Sequence, residues 1–181
     1  MKLTKYNPKI HHRQSIRLQE YDYSQEVSNF ITICTHNHLC LFGKIFDGKM
    51  VLNNAGKIAN ECWLDVPEHY PNTRLHEYVI MPNHVHGIIE IVVSVGANNY
   101  SPLQNGTSKT IGSMVRGFKI GVTKWFRKNV WVQDSGSIPS VWQRNYYEHI
   151  IRNEQSYHRI PEYIINNPSN WLNDKYYEQN N

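Results

Sequence analysis

Two histidines one residue apart, His84 and His86, and a tyrosine and an asparagine four apart, Tyr163 and Asn167, could do chemistry by type and spacing. The histidines sit in the most apolar run of the chain, Val79 to Val93. Ile88 to Val93 is β-branched and continuous, the pattern of a buried central strand. Strand side chains alternate faces, so His84 and His86 point the same way, ~6.6 Å apart along the axis. That separation suits two imidazoles converging on one metal ion; it equally suits two polar side chains at a sheet edge. Val85 and Gly87 turn to the other face, where Gly87 admits a close neighbour. Glu90 shares the histidine face but lies ~13 Å beyond His86, too far for the same ion. Any further ligand must come from elsewhere in the chain.

Asn153 to Pro168 reads as a helix, with Asn153 as its cap and Pro168 as its stop. Tyr163 and Asn167 then lie on one face, one turn apart. A tyrosine can act as a nucleophile, and an amide oxygen can bind a hard cation. Asn167 falls in the last turn, where the helix dipole favours positive charge. A core tyrosine followed by an asparagine terminator fits the same spacing.

Several elements must position these groups. Phe30–Thr35 alternates as a strand, and His36-Asn37-His38 follows in a turn, where loop residues are the simpler reading of the repeated spacing. Leu39 to Val51 contains Asp47-Gly48, a hairpin signal. Ala55, Ile58, Ala59, Cys62 and Val66 place a helix over Leu52–Glu68, stopped by Pro67 and Pro71. Leu75–Met81 is a second strand, turned by Pro82-Asn83 into the histidine strand. Residues 94–110 and 134–140 are rich in Gly and Ser and read as loops. Between them Ile111, Val115, Phe118, Val122 and Trp125 form an apolar helical stripe. Arg116, Lys119, Thr123 and Arg127 run beside it, a ridge for a phosphate backbone or a solvated flank. Val141–Ile151 reads as the last strand. This order gives an α+β split βαβ sandwich with an antiparallel sheet, an extra N-terminal hairpin and an appended C-terminal helix.

At 181 residues, 40% hydrophobic and 19% charged, the chain fits one domain with a full core. No run is long and apolar enough for a membrane span, and the N-terminus lacks the apolar stretch of a secretory signal. Cys34, Cys40 and Cys62 are odd in number and match no CxxC pair, as expected of idle thiols in a reducing cytoplasm. The net charge of +4 leans toward an anionic partner. Residues 1–23 combine seven cationic or histidine side chains, Arg13 and Arg17 among them, with Tyr6, Tyr21 and Tyr23. Such a segment suits a nucleic-acid arm or a solvated tail.

Four blocks occur in order: Pro-Asn-His-Val-His-Gly, Val-Arg-Gly-Phe-Lys, Val-Trp-Gln-Arg-Asn-Tyr-Tyr-Glu-His-Ile-Ile-Arg-Asn-Glu and Glu-Tyr-Ile-Ile-Asn-Asn-Pro. Together, over about residues 11–172, the chain resembles the HUH single-tyrosine transposases, in their REP-associated tyrosine transposase branch. The resemblance implies a ferredoxin-like catalytic domain that cuts and rejoins single-stranded DNA beside REP-like hairpins. It implies a divalent metal, Mg²⁺ or Mn²⁺, held by His84, His86 and Asn167, with Tyr163 as nucleophile and a monomer or homodimer as the working unit. The expected division is a basic arm (1–23), one catalytic domain (24–172) and a polar tail (173–181). Arg13, Arg17, Arg116 and Lys119 are the expected DNA contacts. Pro161 departs from the family pattern and is expected to kink the helix before Tyr163. Two rival readings are a non-catalytic hairpin-DNA binder on the same fold and a metal-dependent phosphohydrolase. The histidine-triad form of the latter needs a third alternating histidine, and position 88 is Ile.

Overall fold

The computed structural model describes residues 27–92, 110–130 and 140–177. The expected arm with Arg13 and Arg17 lies outside the described residues, as do nearly all of the two loops at 94–110 and 134–140.

The described chain runs β1 (Val27–Cys34), β2 (Gly43–Phe46), β3 (Lys49–Leu52), α1 (Asn54–Leu64), α2 (Val66–His69), β4 (Thr73–Ile80), β5 (His84–Ile91), α3 (Ile111–Asn129), β6 (Tyr147–Ile150) and α4 (Glu154–Asn166). Four strands form one sheet in the order β4-β5-β1-β6, every neighbouring pair antiparallel. This is the expected α+β, ferredoxin-like order. β2 and β3 form the separate hairpin, turned by Asp47 and Gly48 at φ 50° and 66°, the left-handed backbone that a tight hairpin turn needs.

Strand alternation divides the sheet into two chemically different faces. Ile31 and Ile33 of β1 and Val85 and Ile89 of β5 point to one side, where they pack with Ala59 and Trp63 of α1 and Met114, Phe118 and Val122 of α3. α3 starts from a reciprocal cap, with the Thr110 and Ser113 side chains each accepting from the other's backbone N–H. Its apolar stripe is as expected, completed by Met114 and Phe126. On the other side a smaller cluster joins Ile88, Ile151, Ile160 and Ile164, with Phe30 and Val79 against it, and holds α4 to the sheet. His84 and His86 share this second face.

Two expectations change. The helix over Leu52–Glu68 divides at Asp65, and Pro67 lies in the first turn of α2, where its missing N–H has no helical partner to lose. The strand over Val141–Ile151 shrinks to Tyr147–Ile150. Val141 and Trp142 are buried, as their types suggested, yet Trp142 joins the sheet only through a single bridge to Thr35. Side chains hold this approach segment: Lys119 Nζ donates to the Gln143 and Asn145 carbonyls, and the Trp142 indole donates to the Lys119 carbonyl. The last helix, α4, runs from Glu154 to Asn166 with Pro161 inside it and is capped by Asn153 Oδ1.

The close neighbour that Gly87 admits is the Trp63 indole: a Cβ at position 87 would overlap Trp63 Cζ2. Gly87→Ala should therefore destabilise the fold by about 1–3 kcal/mol through overpacking. Urea unfolding measures this, and Trp63→Leu in the same chain should recover part of the loss. Equal stability of Gly87→Ala and the parent would contradict the packing.

Candidate active site

β5 begins at His84 because Met81, Pro82 and Asn83 turn the chain out of β4, with Met81 N–H donating to the His84 carbonyl at 2.8 Å. Asn83 is fully buried in that turn. Its Nδ2 donates to the carbonyls of His38 (3.1 Å) and Tyr176 (2.8 Å), which settles the orientation of the amide. Asn83 Oδ1 is then an acceptor, 2.8 Å from His84 Nδ1. The proton of His84 must sit on Nδ1, and its buried Nε2 is a bare lone pair with no protein partner.

His86 is equally buried, its ring 4.4 Å from that of His84. Its Nδ1 meets Thr32 Oγ1 at 2.8 Å on the neighbouring strand. A hydroxyl donates or accepts, so Thr32 serves either tautomer. The two imidazoles converge as the strand spacing predicted.

α4 brings the remaining expected residues to this pair. Tyr163 Oη lies 3.2 Å from His86 Nε2 and donates to Asp174 Oδ2 at 3.3 Å. One turn on, Asn167 is buried; its Nδ2 donates to Asp174 Oδ2 at 2.8 Å, and its Oδ1 has no partner. Tyr163 and Asn167 thus lie beside His84 and His86 within one chain.

Asp174 is the residue that sequence reasoning missed, because residues 173–181 read as a polar tail. Residues 173–177 instead fold back over the site. Its carboxylate and the ring nitrogens of His84 and His86 offer ligand atoms all within 4.8 Å of one another. Asp174 Oδ1 accepts from Tyr176 N–H at 2.7 Å, and the Tyr176 ring lies 4.7 Å from that of His84. The signal was Trp171, a large apolar residue in a polar segment; it is buried, 6.0 Å from the His84 ring, and docks the return of the chain.

A cleft of about 290 Å³ opens beside these groups, lined by Arg159, Tyr163, Asn167 and Asp174 among others. Tyr163 is 40% exposed there, while both imidazoles are closed off. Arg116 and Lys119, the expected DNA contacts, are elsewhere: both belong to α3, on the opposite side of the sheet.

Burial sets the protonation states. It pushes His84 down to about 4, with the nearby Asp174 charge and the Asn167 amide opposing. It pushes His86 well below its ordinary value, and the neighbouring His84 adds to this. Both rings are therefore neutral at pH 7, the form that binds metals. Burial also raises the Tyr163 phenol, reinforced by the Asp174 charge and hydrogen bond. Two bare, buried Lewis bases, His84 Nε2 and Asn167 Oδ1, stand next to His86 and a carboxylate. This mixed nitrogen and oxygen donor set fits a divalent cation.

Because the unfolded chain takes up protons first, the stability from neutral His84 is complete above its ordinary value of 6.5 and lost as pH falls through about 4. The loss is about 3 kcal/mol for this group. Urea midpoints at about pH 7.5 and 4.5 should show it, and His84→Gln should flatten the profile between those two values. A profile identical in both proteins would contradict the buried neutral ring. Separately, Asp174→Ala should weaken Mn²⁺ binding about tenfold or more by calorimetry, since it removes a donor and the anchor of Asn167. An unchanged affinity would remove Asp174 from the site.

No protein-family model matches the chain. Over 182 aligned residues it is 53% identical to an uncharacterised protein of Haemophilus influenzae, covering 96% of this chain and 98% of that protein. Among solved structures, one of a REP-associated tyrosine transposase bound to a REP hairpin aligns at a TM-score of 0.56 and 18% identity, over 92% of this chain and 78% of that one. At this identity the likeness concerns the fold.

Proposed function

The chain belongs to the family of that Haemophilus influenzae protein, and from the site it carries we propose that it cuts and rejoins single-stranded DNA beside hairpins, as a tyrosine transposase. The observation that carries the reading is the 3.2 Å approach of the Tyr163 hydroxyl to His86, next to two unpartnered ligand atoms. The shared fold with a hairpin-bound tyrosine transposase supports it.

A phenol with a raised pKa is a weak nucleophile, and a phosphodiester repels nucleophiles by its own charge. His84, His86, Asn167 and Asp174 would hold the divalent cation, Mg²⁺ or Mn²⁺. When bound, the cation supplies positive charge that offsets a non-bridging phosphate oxygen. Tyr163 Oη attacks phosphorus, the bond to the 3′ oxygen breaks, and a 5′-phosphotyrosine and a free 3′-OH result. Asp174 Oδ2, already the acceptor of the phenol hydrogen bond, stands where the phenol proton must go. Arg159, in the same cleft, offers a charge to the incoming phosphate. The covalent link keeps the bond energy, so rejoining needs no nucleotide cofactor.

Incubation with a pool of single-stranded hairpin oligonucleotides and Mn²⁺ should give a covalent protein–DNA band on a denaturing gel. Tyr163→Phe should lose that band entirely while still binding DNA. Binding without any band in the parent would favour the non-catalytic binder, and hydrolysis surviving Tyr163→Phe would favour a phosphohydrolase.

A further inference from the structure

One ring of the histidine pair is locked and the other is not. Asn83 can only accept from His84, because both hydrogens of its amide go to backbone carbonyls. His86 instead faces Thr32, its direct cross-strand neighbour, with Nδ1 and Oγ1 2.8 Å apart and both residues buried. A hydroxyl gives or takes a hydrogen bond, so Thr32 places no such restriction on its partner. The proton of His86 is set by the group at its other nitrogen.

That group is Tyr163, and the order of donors follows from the carboxylate beyond it. Asp174 receives N–H groups at both oxygens, from Asn167 Nδ2 at 2.8 Å and from the Tyr176 backbone at 2.7 Å. An ionised carboxylate only accepts, so the 3.3 Å contact from Tyr163 uses the one phenol proton. Toward His86 Nε2, 3.2 Å away, the phenol oxygen then has only a lone pair to offer. His86 must supply the proton of that bond from Nε2, and its Nδ1 is left to accept from Thr32. The donors run in one direction, from Thr32 to His86 to Tyr163 to Asp174. Turning the imidazole over would break both of its bonds and the stacking of Phe30 on it, 5.3 Å between centroids.

This arrangement conflicts with cation binding at a single atom. His84 presents a bare Nε2, whereas His86 can offer Nε2 to a cation only after its proton has moved to Nδ1. Burial holds the ring neutral in both forms. It loses one proton and gains one, with solvent water as the carrier. Thr32 then changes from donor to acceptor. Tyr163 is freed of the N–H that had occupied its in-plane lone pair, the pair that must meet phosphorus.

Resting on the strand-joining reading above, we propose that His86 couples cation loading to release of the nucleophile, with Thr32 as the positioning residue that permits the exchange. Without a cation, the His86 N–H masks the phenol oxygen. Loading requires the other tautomer, and that tautomer unmasks Tyr163. The nucleophile is thus kept out of use until the charge that assists it is in place.

The test reads proton position and affinity apart from activity. In EDTA-treated, nitrogen-15-labelled protein at about pH 7.5, long-range proton–nitrogen correlation spectra tell protonated ring nitrogens from bare ones. The parent should show His84 protonated on Nδ1 and His86 on Nε2, assigned with His84→Gln and His86→Gln. Tyr163→Phe removes the acceptor, so His86 should carry its proton on Nδ1 instead. Mn²⁺ should then bind about three- to tenfold more tightly by calorimetry, since a neutral hydrogen bond no longer has to be broken. Thr32→Val removes the group that must accept, and Mn²⁺ affinity should fall about tenfold, with Thr32→Ser restoring it. A lower urea midpoint in Thr32→Val with Mn²⁺ affinity unchanged would make Thr32 merely structural and overturn the proposal. So would a parent with His86 protonated on Nδ1. Tighter Mn²⁺ binding in Tyr163→Phe with no change of tautomer would trace to the freed Asp174 carboxylate and overturn it too. A covalent DNA band from a parent with the wrong His86 tautomer sinks this inference alone. The stated tautomers in a protein that never forms the band sink the catalytic reading alone.

Discussion

The site depends on one buried amide. Asn83 gives both its hydrogens to backbone carbonyls, so its oxygen can only accept, and His84 is obliged to point its proton away from the cleft. What remains is an imidazole lone pair held in a fixed direction with no protein atom to receive it. Left without a partner, such a buried atom costs about 1–3 kcal/mol. Asn167 Oδ1 repeats the pattern, since Asp174 occupies its other end. Two unmet acceptors within one small volume are difficult to explain as packing, which has no use for them; they are consistent with a ligand that accepts electron pairs. Asn83 also binds the carbonyls of two distant segments, so the same amide that sets the tautomer joins the turn before β5 to the chain's return at Tyr176.

The sheet separates stability from chemistry. Its large core is assembled on the α1 and α3 side, where Trp63 packs onto Gly87 and Phe118 edges against Trp63 at 5.5 Å. Among the described residues, the opposite face holds α4 by the smaller cluster around Ile164, with Phe30 and Val79 against it. That face can carry buried histidines, a carboxylate and a half-exposed tyrosine because the main core does not rely on it. Glu90, farther along the same face, is seven per cent exposed and is bonded by both Arg74 and His76, so its own charge is not left unpaired.

Local pattern made much of this legible. Strand alternation placed His84 and His86 on one side, and helical spacing placed Tyr163 above Asn167. Both rules act over a few residues and survive whatever surrounds them. Asp174 obeys no such rule: its position depends on Trp171 docking beside His84 after the chain has reversed direction, a tertiary contact with no period. The shortened β6 has the same origin. Aromatic and branched residues from Val141 onward resemble a strand, but Lys119 and Trp142 bind that backbone through side chains, and ladder pairing starts only at Tyr147. Lys119 illustrates a further limit, since sequence ranks it as a surface cation while the fold uses its ammonium to tie two carbonyls.

The direction of assembly also follows from the packing. Ile160 and Ile164 lie one turn apart on the buried side of α4, and Asn167 continues that stripe at its end. Tyr163, adjacent to Ile164, is consequently set at the edge of the buried stripe, with its ring exposed and its hydroxyl turned inward to His86. A tyrosine on the stripe would be sealed in the core, and one opposite it would face away from the imidazoles. The helix register alone therefore gives a hydroxyl that can be reached from the cleft while its oxygen stays among His86, Asp174 and the unpartnered acceptor atoms. No second chain is needed to bring Tyr163 to His86, because the contacts that fix α4 on β4 and β5 already do so.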